Sequence, residues 1–200
     1  MVGEKKENII FELYKNSRTI YRINDIAMLM GKEKGDTLYK ILNYYVKTGK
    51  LLNPRRGFYA KEGYKPEELA CLLYPPTYIS LEYVLQRAGV VFQYDSAITN
   101  VSYLAREVKI DNQTFRYRQM KGEILVNTAG IILNKDNINI ATPERAFLDT
   151  IYLNGAMYFD NLRPLKRDLI EQILPIYNSK IFNERVKNIL KNDRYRRTTS

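Results

Sequence analysis

The sequence predicts an α+β chain in two parts, and three observations predict it. Between Ile20 and Ala60, extended and helical signatures alternate at short spacing. From Ile98 to Ile140, short apolar runs are separated by turn residues, as in a small sheet. At Thr142 a strongly signalled helix opens, and it is apolar over most of its length. Two hundred residues with 45% hydrophobic content can bury a proper core, as one large domain or two small ones.

The first part reads element by element. A helix over 4–15 places Ile9, Ile10, Leu13 and Tyr14 on one apolar stripe. The extended piece Thr19-Ile20-Tyr21 leads to Asn24, whose side chain can cap a helix over 25–30 that Gly31 ends. A second helix runs from about 36 to 48 and is stopped by Gly49. Lys50-Leu51-Leu52-Asn53, the turn Pro54-Arg55-Arg56-Gly57 and Phe58-Tyr59-Ala60 then read as two short strands joined by a tight loop. This order is that of a winged helix-turn-helix, a device that places one helix in the major groove of duplex DNA.

The division of faces on the 36–48 helix decides which residues could touch a base. Leu38, Leu42 and Tyr45 form its inward stripe, flanked by Ile41 and Val46. Thr37, Lys40, Asn43, Tyr44 and Lys47 point outward, with Lys34 and Tyr39 near the N-terminal turn. Lysine reaches phosphate or guanine, asparagine bonds adenine through two atoms, and the threonine methyl meets that of thymine. Arg55 and Arg56 at the loop tip can straddle a backbone or enter a narrow minor groove.

The break Lys61-Glu62-Gly63-Tyr64-Lys65-Pro66 sets a boundary between a domain over 1–63 and another over 64–200. In the second, a short helix over 67–73 precedes Pro75-Pro76, and a helix over 80–88 ends at Gly89. Strands are expected over 98–103, 108–110, 115–118, 131–133 and 138–140, with turns at Asp111-Asn112-Gln113 and Asn134-Lys135-Asp136-Asn137. Thr142 can cap the next helix, Pro143 fits its first position and Glu144 faces the positive end of its dipole. Its apolar run predicts a helix buried on most sides at the centre of the second domain. Helices over 166–174 and 179–191 and a frayed tail Arg194-Tyr195-Arg196-Arg197 complete the chain.

Charge is unevenly placed. The chain carries +10, with +6 over 1–63 from 13 basic and 7 acidic residues, −2 over 64–160 from 9 and 11, and +6 over 161–200 from 10 and 4. A basic first segment suits an anionic partner. With no histidine and one cysteine, the usual general base and thiolate zinc sites are absent. Neither a Gly-x-Gly nor a Gly-Lys-Ser/Thr phosphate cradle occurs, and no paired acids sit on a strand end to hold magnesium. The expectation is a protein without catalytic activity, metal or cofactor. Cys71, among Leu69, Ala70, Leu72 and Leu73, reads as an inert buried thiol. No apolar run approaches the roughly 20 residues needed to cross a bilayer, and the start lacks a signal-peptide stretch, so a cytoplasmic protein is expected. Seventeen tyrosines could also stack on unpaired RNA bases, although Tyr14, Tyr45 and Tyr152 fall on apolar stripes and are assigned to the core.

Three stretches together resemble the AbiEi family of type IV toxin–antitoxin antitoxins. They are Lys50-Leu51-Leu52 to Arg56-Gly57-Phe58-Tyr59-Ala60, then Tyr78-Ile79-Ser80-Leu81-Glu82-Tyr83-Val84-Leu85, then Ile140-Ala141-Thr142-Pro143-Glu144-Arg145-Ala146-Phe147-Leu148-Asp149. The likeness spans about residues 18 to 155. It implies a winged helix-turn-helix followed by a mixed α/β AbiEi antitoxin-type C-terminal domain. It also implies an abortive-infection antitoxin that binds promoter repeats, represses its own operon and counters a nucleotidyltransferase-like toxin. Direct toxin capture, competition for the toxin's target and transcriptional control all fit, and an orphan winged-helix regulator is the alternative. Read physically, Ser80, Glu144, Arg145 and Asp149 are scaffold: Arg145 and Asp149 are four apart and can pair, while Glu144 and Asp149 lie about 140° apart on a helix.

Overall fold

The computed structural model describes residues 2–31, 34–134, 136–155 and 157–198, over which the chain is α+β with two sheets. Helix α1 (Val2–Lys15) buries Ile9 and Leu13 completely. Tyr14, expected in the core, is exposed at the edge of that stripe, and its hydroxyl donates to the Lys50 carbonyl at 3.1 Å. Strand β1 (Ile20–Arg22) runs directly into α2 (Ile23–Leu29). That start precedes the expected one, so Asn24 lies inside the first turn and does not cap. Asp25 takes the role instead: its carboxylate accepts the Arg22 backbone N–H at 3.1 Å and pairs with Arg18 at 3.0 Å. An acid in the first turn also faces the positive end of the helix dipole.

Helix α3 (Asp36–Lys47) follows, then β2 (Leu52–Arg55) and β3 (Phe58–Ala60). The three strands form an antiparallel sheet in the order β1-β3-β2, with Ile20 opposite Ala60 and Arg55 opposite Phe58. β2 starts two residues later than the sequence suggests, because Leu51 turns into the core with 2% of its surface left exposed. Gly57 closes the hairpin at φ +83°, a conformation an L side chain resists.

The larger sheet is mixed. Its strands are β4 (Thr77–Ile79), β5 (Ile98–Ser102), β6 (Arg106–Ile110), β7 (Gln113–Gln119), β8 (Ile131–Leu133) and β9 (Asn139–Ala141), ordered β6-β7-β5-β4-β9-β8. Around it lie α4 (Pro66–Leu73), α5 (Glu82–Arg87), α6 (Gly122–Leu125), α7 (Pro143–Asn154), α8 (Arg167–Ile173), a 3-10 turn over Leu174–Tyr177 and α9 (Lys180–Thr198). Every residue of β4 and β5 is buried, which suits their central places. The expected helix over 80–88 starts only at Glu82, since the Ser80 N–H still donates to Thr99 on β5 at 3.1 Å. The last helix continues through the predicted frayed tail to Thr198. Of the second predicted turn, Lys135 lies outside the described residues.

Helix α7 is buried as expected. All of Glu144 to Ile151 is shielded from solvent, and α5, α8 and α9 pack around it. Phe147, Leu148 and Ile151 are 0% exposed, and each such burial contributes about 1.5–3 kcal/mol.

Two hydrophobic clusters result. The smaller gathers Ile9, Leu13, Ile23, Ile26, Leu42, Tyr45 and Leu51, and the larger runs from Leu69 to Val186 and also takes in Ile20 and Ala60. Polar contacts tie the two together. Thr19 donates its backbone N–H to Glu68 at 2.8 Å, its hydroxyl also bonds that carboxylate, and Arg22 donates to the Leu72 carbonyl. Among the described residues, no helix is long and apolar enough to cross a membrane.

Candidate nucleic-acid interface

The α3 helix buries one side and leaves the other in water. Leu38, Leu42 and Tyr45 are 3%, 0% and 1% exposed. At 100° per residue, Thr37, Tyr44, Lys40, Lys47 and Asn43 fall within about 120° on the opposite side, and Tyr39 about 40° further round. All six are exposed, as is Lys34 just ahead of the helix. Asp36 is the single acid on α3. Asp36 falls on this same side, and among the described residues Lys34, Lys40 and Lys47 make no ion pair with a carboxylate, so three lysines against one acid leave this surface net basic. Tyr44 packs edge-on against buried Tyr45 at 5.7 Å, which fixes its ring at the boundary between core and solvent.

Of the two arginines expected at the hairpin tip, only Arg56 stands there, exposed beside Gly57. Arg55 is the last residue of β2 and is half-buried, which corrects the expectation of two free guanidinium groups. It turns towards the larger sheet, where it donates to the Tyr74 hydroxyl at 3.3 Å and lies 5.8 Å from the ring centre. The cause is local: Tyr74 sits at the end of α4, within reach of the β2 terminus, and offers an acceptor and an aromatic face. Arg106, at the start of β6, approaches the same hydroxyl at 3.5 Å and the same ring at 5.4 Å. Burial pushes the Tyr74 phenol up, but the hydrogen bonds from Arg106 and Arg55 outweigh it and hold it below the usual tyrosine range. Nothing in the sequence signals this meeting, since Tyr74 and Arg106 are 32 residues apart.

The second-part motif folds into a closed network. Arg145 and Asp149, both 0% exposed, pair at 3.1 Å. Arg145 also donates to the carbonyls of Asn127 (3.3 Å), Ala129 (2.8 Å) and Ile124 (2.8 Å), and to the Tyr78 hydroxyl (2.9 Å). With Asp149 these partners use all five guanidinium N–H groups. The Asp149 carboxylate in turn accepts from Arg145, Tyr177 (2.6 Å), Tyr78 (3.0 Å) and Ser80 (2.8 Å). Burial pushes the Asp149 carboxyl up, and the Arg145 charge and three hydroxyl donors oppose it. Four donated hydrogen bonds, one of them from the Arg145 guanidinium, favour the ionised acid over the neutral one.

Within this network all five guanidinium N–H groups and both carboxylate oxygens are engaged. It joins the end of β4, α6, the loop over 127–129, α7 and the 3-10 turn. Glu144 lies apart from the pair and accepts the Lys166 backbone N–H at 3.0 Å, just ahead of α8. Thr142 caps α7 as the sequence predicts, accepting the Arg145 N–H at 3.2 Å. Tyr177 escaped sequence reading because its role depends on α8 folding back onto α7. Gly130 escaped it too: at φ +71°, a Cβ there would stand 2.8 Å from Arg145 Cβ and 2.6 Å from Ile173 Cδ1.

Cys71 is buried, and its thiol approaches the Asn139 carbonyl at 3.6 Å. Burial pushes the thiol up to about 12, which leaves it inert at neutral pH. No protein-family model and no curated protein matches the chain.

Proposed function

We propose that residues 1–63 form a winged helix-turn-helix domain that binds duplex DNA, with α3 as the recognition helix and the β2–β3 hairpin as the wing. The observation that carries this reading is the exposed face of α3. Lys40, Lys47, Asn43 and Thr37 lie together on it, and among the described residues its two lysines make no ion pair with an acid. Basic groups at those positions would neutralise phosphates, and Asn43 and Thr37 have the right chemistry for adenine and thymine edges. Arg56 would reach the backbone or the minor groove beside the recognition helix.

The second domain, 64–200, is then the antitoxin part of a regulator that represses its own operon and counters a nucleotidyltransferase-like toxin. This wider reading rests on the resemblance to the AbiEi antitoxins. In it, the saturated network around Arg145 and Asp149 keeps the second domain rigid and performs no catalysis.

The test is an electrophoretic mobility shift of the full chain with the duplex upstream of its own gene and with a shuffled duplex of equal composition. Preferential retardation of the upstream duplex is expected. Equal or absent retardation of both would overturn the repressor reading. A nucleotidyltransferase-like reading frame directly downstream is expected as well, and its absence would leave a regulator without a toxin partner.

A further inference from the structure

We propose that Arg55 and Arg106 form a clamp for one phosphate group at the seam between the β2–β3 hairpin and the six-stranded sheet. Its occupant is a backbone phosphate of the duplex, so the proposal rests on the DNA-binding reading and extends it to a residue outside the first domain.

Both guanidinium groups reach the same neutral oxygen, at 3.3 Å from Arg55 and 3.5 Å from Arg106. Two like charges brought to one uncharged acceptor repel each other, and a phenol has no charge to offset them. Among the described residues neither arginine has a carboxylate partner. The neighbouring acid on β6, Glu107, is already taken by Arg116 at 2.9 Å. What the pair lacks is an anion.

The geometry suits phosphate. A phosphate spans donors up to about 8 Å apart, given two oxygens and two charge-assisted hydrogen bonds. The two Nη1 atoms cannot be separated by more than the sum of their distances to the shared oxygen, which is within that reach. The spacing is also fixed. The Tyr74 ring is held edge-on by Tyr117 at 4.9 Å, the Tyr117 hydroxyl donates to the Ala70 carbonyl at 2.8 Å, and Ser102 donates to the Tyr74 carbonyl at 3.0 Å. Tyr74 therefore acts as a rigid spacer that points two cations at one place, and Arg106 stays open to solvent. A duplex held by α3 and the hairpin would extend over this seam, with Arg55 as the link between the two surfaces.

The experiment measures duplex affinity against salt concentration by fluorescence anisotropy, using the full chain and the variants Arg106→Gln, Arg55→Gln, their double and Lys109→Gln. Lys109 lies on the same strand three residues on, exposed and on the opposite face, and controls for loss of one charge. Arg106→Gln should weaken binding about 3- to 10-fold near 0.1 M salt and reduce the logarithmic salt slope by about 0.9, the value for one phosphate contact. The double variant should lose no more slope than either single one, because one phosphate is shared. Lys109→Gln should leave the slope unchanged. If Arg106→Gln behaves as Lys109→Gln does, the clamp is overturned while the DNA-binding reading stands.

A second arm titrates inorganic phosphate against chloride at equal ionic strength and follows the Arg55 and Arg106 Nε–H resonances. Saturable shifts with phosphate in a protein that ignores duplex DNA would retain the clamp, assign it to free phosphate and overturn the duplex reading. No shift with phosphate in such a protein overturns the clamp as well.

Discussion

Replacing Asp149 by asparagine removes one charge and almost no volume, and the structure sets the size of the effect. The amide oxygen can accept two of the four hydrogen bonds that the carboxylate now receives, from Arg145, Tyr177, Tyr78 and Ser80. The amide N–H groups would face hydroxyls that can rotate, so those contacts are partly recoverable. The Arg145 charge is not recoverable: it is 0% exposed and loses the anion at 3.1 Å. Breaking a buried pair from one side costs about 3–5 kcal/mol. For a chain of this size that lowers Tm by about 6–20 °C. Urea denaturation followed by far-UV circular dichroism measures it directly. The double change Arg145→Met with Asp149→Leu should cost less than Asp149→Asn alone, because no charge is stranded. A loss below about 1 kcal/mol in the single variant, on a scale where whole domains are stable by 5–15, would refute the view that this pair is a satisfied structural staple.

Three further outcomes are expected. Gly130→Ala should destabilise the fold by about 2–4 kcal/mol, from its left-handed φ and the 2.8 Å approach of Arg145 Cβ, as read in the same denaturation assay. Arg55→Ala with Arg56→Ala should weaken duplex binding on the order of 10-fold at moderate salt and flatten its salt dependence; an unchanged slope would show the hairpin idle. Alkaline pH should unfold the protein with tyrosine ionisation, because burial raises Tyr21 to about 12, and burial with Asp111 raises Tyr64 to about 12. The sign follows from linkage: the unfolded chain ionises first, so this stability is intact below the unfolded tyrosine pKa of about 10 and is lost as pH climbs towards 12. Stability that stays flat between pH 10 and 12 would contradict the burial of these hydroxyls.

What the sequence made legible was local. The α7 start was readable because Thr142, Pro143 and Glu144 each act within one helical turn, and the α3 faces were readable because Leu38, Leu42 and Tyr45 repeat at helical spacing. The β2–β3 hairpin was legible from Gly57 and its flanking runs, though not the inward turn of Leu51. The α2 cap is not legible because both Asn24 and Asp25 can accept from the backbone, and the helix start is set by Arg22, the last residue of β1. Strand β4 has only three residues, too few to show alternation, and is a strand because β5 and β9 lie on either side. The candidate site divides in the same way. Lys40, Asn43 and Lys47 follow from helix period, whereas the turn of Arg55 onto Tyr74 depends on a contact across 19 residues of chain. The closed network around Asp149 needed Tyr177, which is 28 residues away and arrives only when α8 packs on α7.

Amide chemical-shift mapping of the full chain against a duplex oligonucleotide and its single strand tests DNA binding by α3 most directly. The expected map has its largest shifts at the exposed positions Thr37, Lys40, Asn43, Tyr44 and Lys47 and at Arg56, with the duplex binding more tightly than the single strand. Shifts confined to the surface beyond residue 63, or stronger binding of the single strand, would contradict a recognition helix at 36–47.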